Sequence, residues 1–180
     1  MPTLVAYSSM HGATQEIAER IATTLGEAGE EADARSVEVV DDLTSYDAFV
    51  VGSAVYSRHW QNEASEFVRR NRAVLASRPV WLFSSGPLGT EATDAVGQDL
   101  TVAAEPMEIA EFRRTFGPQD HRVFFGALDP GRLGFAERLV RMWPAFRPVL
   151  PEGDFRDWAQ IEAWARDIGH HLAELRAGPR

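Results

Sequence analysis

Apolar positions fall along this chain in two patterns: short unbroken runs, and single residues repeating every third or fourth position through otherwise polar stretches. The runs Thr3 to Tyr7, Ala48 to Gly52 and Val80 to Ser84 are bounded by turn residues, as expected of strands buried on both faces. Arg122-Val123-Phe124-Phe125-Gly126 fits as a fourth, and Glu31 to Val37 as a weaker strand at an edge. From Ala13 to Ala28 the repeat Ile17, Ile21, Leu25 marks one face of a helix. Glu16, Glu19 and Arg20 occupy its other face, and Gly29 closes it. Gln61 to Ala76 predicts a second helix with Phe67, Val74 and Leu75 inward, and Pro106 to Thr115 a third, opened by Pro106. The last runs from Arg156 to Leu175, with Asp154 as its N-cap and Trp158, Ile161, Trp164, Ala165, Ile168 and Leu172 on its buried side.

Strands alternating with helices predict an α/β fold, a doubly wound five-stranded parallel sheet with helices on both faces. Ligands of such sheets bind beyond the carboxyl ends of the strands, where the strand order reverses. At 180 residues, with neither internal repeat nor low-complexity linker, the expectation is a single domain spanning 1–180.

Three of the predicted strands open into loops of unusual composition. After the first comes Ser8-Ser9-Met10-His11-Gly12-Ala13-Thr14, leading straight into a helix. A strand that stops at a hydroxyl-rich turn and feeds a helix N-terminus aims backbone N–H groups and hydroxyls at one point, where an anion can sit. The stretch contains no arginine or lysine, so a phosphate there is held by hydrogen bonds and the helix dipole. The second loop, Ser53-Ala54-Val55-Tyr56-Ser57-Arg58-His59-Trp60, offers small residues for close backbone approach and then two aromatic rings. The third, Ser84-Ser85-Gly86-Pro87-Leu88-Gly89, is a tight turn rich in exposed N–H groups. Together they suit a mononucleotide with a flat ring, its phosphate on the first loop and its ring between the other two.

Composition narrows the chemistry. A formal charge of −9 argues against a general nucleic-acid surface, which needs basic patches. The absence of cysteine removes disulfides, thiolate catalysis and iron–sulfur ligation. All 18 basic residues are arginine, so there is no Walker A lysine and no Schiff-base lysine. No stretch approaches the roughly 20 apolar residues of a membrane helix, and a cytoplasmic protein is the expectation. Arg132 to Leu150 reverses the overall charge: Arg132, Arg138, Arg141 and Arg147 interleave with Phe135, Leu139, Trp143 and Phe146. That composition suits either peripheral contact with an anionic membrane or a helix packed on the domain with snorkelling arginines.

The chain resembles the flavodoxin family, and within it the flavodoxin-like branch that includes menaquinone-dependent protoporphyrinogen dehydrogenase. The resemblance rests on Ser8 to Thr14, Gly52-Ser53-Ala54-Val55-Tyr56, Phe125-Gly126-Ala127-Leu128, and Asp154-Phe155-Arg156-Asp157-Trp158 with Ile161 and Trp164-Ala165. It covers nearly the whole chain and departs from that branch over Ser85 to Glu105 and after Leu128. It implies the strand order 2-1-3-4-5 and FMN as cofactor. The candidate cofactor-binding residues, taken from the three loops, are Ser8, Ser9, Met10, His11, Gly12, Ala13, Thr14, Ser53, Ala54, Val55, Tyr56, Ser85, Gly86, Pro87, Leu88 and Gly89.

The function this implies is an FMN-binding redox protein, an oxidoreductase or electron carrier with the flavin as redox centre. Its partner would be a redox protein or a quinone- or porphyrinogen-like small molecule, with no nucleic acid involved. The alternatives are a flavoenzyme acting on protoporphyrinogen or quinone, and a flavodoxin-like binding module that has lost FMN. A receiver-type signalling domain shares the strand order but needs acids where this chain has Ser8-Ser9 and Gly52-Ser53. Tyr56 and Trp60 are candidates either for stacking on a ring or for the core, and His59 either for a flavin carbonyl or for solvent. His170 and His171 are adjacent on a helix and lack a third ligand, so no metal site is expected. Asp41-Asp42 reads as a solvated turn, and no side chain stands out as an essential acid or base.

Overall fold

The computed structural model describes residues 1–86, 105–128 and 153–178. The elements in chain order are β1 (Thr3–Ser8), α1 (Ala13–Glu27), β2 (Ala32–Ser36), β3 (Ala48–Tyr56), β4 (His59–Trp60), α2 (Asn62–Arg70) and α3 (Arg72–Leu75). They continue with β5 (Val80–Ser85), α4 (Glu108–Phe116), β6 (Asp120–Phe124), β7 (Ala127–Leu128), β8 (Gly153–Asp154) and α5 (Trp158–Ala177). Five strands pair in parallel in the order β2-β1-β3-β5-β6. Numbered among themselves, these are 2-1-3-4-5, the expected order. Short β4 adds to β3 antiparallel, and β7 pairs with β8 in a separate two-stranded sheet.

Residues in the central strands alternate between two apolar layers, which is why these strands read as unbroken apolar runs. Leu4, Phe49, Val51 and Leu82 face a core with Phe67, Leu75, Ile109 and Phe112 from α2, α3 and α4. Val5, Val50, Trp81 and Phe83 face the opposite core, with Ile17, Ile21 and Leu25 of α1 and Ile161, Trp164, Ile168 and Leu172 of α5. Each such side chain fully buried contributes about 1.5–3 kcal/mol, so the two layers fix the sheet edge to which the loops are attached. Gly52 is required by this packing, since a Cβ there would lie 2.0 Å from the Phe83 ring.

Four sequence expectations need correction. β3 runs beyond Gly52 to Tyr56 and folds back through Ser57 and Arg58, whose φ angles are 50° and 66°. Two consecutive left-handed residues make a tight hairpin, but neither is Gly or Asn, so the sequence carries no turn signal there. The predicted helix over Gln61 to Ala76 is broken at Asn71, whose side-chain amide donates to the Phe67 carbonyl at 2.9 Å. α4 begins at Glu108, with the carbonyl of Pro106 accepting from the Ile109 N–H at 3.2 Å. The N-cap of α5 is Asp157, which accepts from the Gln160 N–H at 3.0 Å, and not Asp154, whose carboxylate is taken by Arg156. Among the described residues, no helix is long and apolar enough to cross a membrane. Pro87, Leu88, Gly89 and Arg132 to Leu150 lie outside the described residues.

Candidate functional site

The first loop leaves β1 at buried Ser8 and enters α1 through Gly12, which has φ 88° and ψ −14°. An L-residue adopts that left-handed conformation at a cost, whereas glycine does so freely. Ser9 shapes the turn by accepting the Gly12 N–H on its hydroxyl at 3.0 Å. The first N–H groups of a helix have no intrahelical acceptor, and among the described residues no side chain caps α1. Its positive end therefore lies at the carboxyl edge of the sheet, a position that suits an anion. Thr14 is buried just inside this turn, while Met10 stands exposed at its rim.

Sheet register brings the second and third loops against the first. Ser8 lies opposite Ser53, Ser53 opposite Ser84, and Ala54 opposite Ser85. Gly86 sits against Val55, its N–H donating to the Phe124 carbonyl at 3.0 Å. Of the expected cofactor residues that are described, all thus occupy one edge.

Their side chains are not equally available. Ser8 donates its hydroxyl to Gln61 Oε1 at 2.6 Å. Ser53 donates to the Ala54 carbonyl at 2.8 Å and accepts the Gln61 N–H at 3.0 Å. Gln61, which no sequence signal singled out, therefore ties the first two loops together.

Trp60 belongs to the core. It is 3% exposed, meets Phe112 edge-on at 5.4 Å between ring centroids, and donates its indole N–H to Ser84 Oγ at 2.8 Å. Tyr56, 47% exposed, is the aromatic residue of the pair that stands at the surface of the edge. His59 pairs with Glu108 through Nδ1 at 2.8 Å, and the other oxygen of that carboxylate accepts the Trp60 N–H at 3.3 Å. The start of α4 thereby anchors the hairpin tip.

Behind Ser84 runs a polar chain that periodicity could not reveal. Ser84 Oγ lies 2.9 Å from His121 Nε2, and His121 Nδ1 lies 3.2 Å from Glu105 Oε1. Glu105 in turn receives both terminal nitrogens of Arg113, at 2.9 and 2.6 Å. Burial pushes the His121 ring below its ordinary pKa, with Glu105 pulling the other way. The Arg113 hydrogen bonds hold the Glu105 carboxyl below the usual carboxylate range, against the opposing effect of burial. A neutral ring carrying its proton on Nδ1 satisfies every member: Trp60 donates to Ser84, Ser84 to His121, and His121 to Glu105.

The fold also supplies a cation that the first loop lacks. Arg156 reaches the first turn of α1, where Nη1 donates to Glu16 at 2.8 Å and to the Ala13 carbonyl at 3.3 Å. Its other nitrogens engage Asp154, each at 2.7 Å. The absence of fixed positive charge thus holds for the loop but not for its surroundings. His171 packs edge-on against Trp81 at 5.6 Å, and Asp42 accepts the N–H and hydroxyl of Thr44, each at 2.8 Å, in a surface turn.

The donor set fits a phosphate monoester joined to a planar ring. N–H groups at a helix N-terminus could hold the anion, and small residues and Tyr56 stand on the same sheet edge. The family model described as "Flavodoxin domain" matches residues 4–143. Over 177 residues the chain is 27% identical to protoporphyrinogen IX dehydrogenase [quinone] of Escherichia coli strain K12, covering 94% of this chain and 96% of that protein. Among solved structures it is similar to a flavodoxin from the domain Archaea, at a TM-score of 0.60 and 17% identity, covering 97% of this chain and all (100%) of that one. Oxidised flavodoxin 2 of Bacillus cereus gives a TM-score of 0.60 at 21% identity, covering 97% of this chain and 100% of its own.

Proposed function

Because the chain belongs to the flavodoxin-domain family, we propose that it is an FMN-dependent oxidoreductase with its cofactor across the carboxyl ends of β1, β3 and β5. The family's cofactor is FMN, and the chain is an FMN-binding redox protein. When bound, FMN supplies the electron-transferring centre, so the protein's work is binding, orientation and electrostatics.

In this reading the backbone N–H groups of the Met10 to Thr14 turn, with the hydroxyls of Ser9 and Thr14, hold the phosphate. Ser8 serves chiefly as a strut through Gln61. Ala54, Val55, Ser85 and Gly86, followed by Pro87, Leu88 and Gly89, border the ring, and Tyr56 stacks against it. The single observation behind this assignment is the register that sets Ser8, Ser53 and Ser84 side by side at the N-terminus of α1, which no side chain among the described residues caps. The absorption spectrum of the purified protein, with chromatography of the released chromophore, tests it. Flavin bands and co-elution with FMN are expected, whereas a colourless protein that leaves added FMN fluorescence unquenched would overturn it.

A porphyrinogen-type donor and a quinone acceptor are the substrate classes we favour. They are supported by the end-to-end likeness to the Escherichia coli dehydrogenase, which leaves neither chain with a large unmatched segment. Turnover of protoporphyrinogen with menaquinone by the FMN-loaded protein is the expected result. Failure of that assay together with reduction by a flavodoxin reductase would favour the pure electron carrier.

A further inference from the structure

The side chain of Arg156 is only 7% exposed, unusual for a guanidinium on the connection into a surface helix. Four groups fix it. Asp154 takes Nε and Nη2, the Glu16 carboxylate and Ala13 carbonyl take Nη1, and the Trp158 ring lies 4.4 Å from its centre. Ala13 is the first residue of α1 and Glu16 lies in its first turn. Arg156 therefore grips the element whose N-terminus forms the phosphate end of the site.

Glu16 presents a conflict. A carboxylate in the first turn favours the helix dipole while the site is empty, but it repels a second anion arriving at the same helix end. At that range the repulsion is only partly screened at physiological ionic strength. A buried guanidinium on the Glu16 carboxylate eases the conflict, because it offsets part of the charge and fixes the turn in one contact, while the Glu16–Arg156–Asp154 cluster keeps one net negative charge. Asp154 takes the Nε–Nη2 edge of the fork, so four of the five N–H donors of Arg156 are engaged by Asp154, Glu16 and Ala13.

We infer that Arg156 is a positioning residue of the phosphate cradle, fixing the first turn of α1 through Ala13 and offsetting the Glu16 charge so that the turn can accept a phosphate dianion. The inference rests on the FMN reading above.

The test is titration of wild type, E16Q, R156M and the double variant with FMN and with riboflavin, which shares the ring but lacks the phosphate. E16Q is expected to tighten FMN by about threefold at low salt and to leave riboflavin unchanged. R156M should weaken FMN by about tenfold, change riboflavin by less than about twofold, and be largely rescued by adding E16Q. Equal loss of FMN and riboflavin in R156M, or weaker FMN binding in E16Q, would show a merely structural role and overturn the inference. Should R156M fail to fold, the sign of the E16Q effect decides alone, since Glu16 is half-exposed and its substitution leaves the core intact. Wild type that quenches neither flavin overturns the FMN reading itself, whereas wild type that binds FMN with variants showing no difference overturns only the role of Arg156.

Discussion

The turn after β1 and the turn after β3 end at the same sheet edge but are built on opposite plans. After β1, no side chain among the described residues caps the start of α1, and Gly12 takes a left-handed conformation. After β3 nearly every polar group has a protein partner: Ser53 bridges Ala54 and Gln61, His59 and Trp60 share Glu108, and the Trp60 indole is bound by Ser84. Unsatisfied donors are costly in a finished structure unless water or a ligand meets them. In the proposed site the first turn receives the ligand through its helix N-terminus, and the second stands rigidly beside it. Two stretches that both read as ligand loops divide the work.

This contrast predicts which substitutions damage stability and which damage binding. Trp60→Ala should have the largest effect, destabilising by about 3–5 kcal/mol through the lost ring and the cavity it leaves, as measured by urea unfolding. A cost under about 1 kcal/mol would place Trp60 outside the core. Gly12→Ala forces an L-residue to φ 88° and should cost about 1–2 kcal/mol. It should also weaken FMN more than riboflavin, because the distorted turn is the proposed phosphate end.

His121→Gln sharpens the account of the rigid turn. Burial lowers the ring's pKa in the folded chain below the ordinary 6.5, so between those values the unfolded chain holds more protons. Wild-type stability should therefore fall as pH drops from about 6.5 through the folded-state value. The Gln variant, which can accept from Ser84 and donate to Glu105 without titrating, should flatten that slope in denaturant midpoints measured across the range. Glu105, depressed below its ordinary 4.5, adds a further loss at lower pH in both proteins. Tyr56→Ala should have the smallest effect on stability, within about 0.5 kcal/mol for an exposed residue. It should weaken FMN and riboflavin alike by about threefold to tenfold, since a stacking residue meets the ring they share.

The fold was largely legible because buried parallel strands and amphipathic helices leave apolar patterns of different period. The hairpin was not, since Ser57 and Arg58 adopt left-handed conformations that their side chains do not advertise. The proposed cradle, Ser8 to Thr14, stands out in the sequence because its residues are contiguous. Gln61 and Arg156 could not be placed in that way: each acts on the first loop from another part of the chain, 53 residues away for Gln61 to Ser8 and 140 for Arg156 to Glu16. Within Asp154 to Trp158, nothing in local periodicity tells that the arginine turns inward onto α1. The chain from Trp60 to Glu105 was equally hidden, because Ser84 and His121 sit on neighbouring strands and resemble ordinary strand-end polar residues.

The central claim is that the uncapped turn after β1 holds a phosphate. Fluorescence titration of the flavin-free protein with FMN and with riboflavin, at the same low ionic strength, tests it most directly. FMN should bind at least about tenfold more tightly than riboflavin, with the advantage shrinking as salt is added. Equal affinity for the two flavins would contradict the claim.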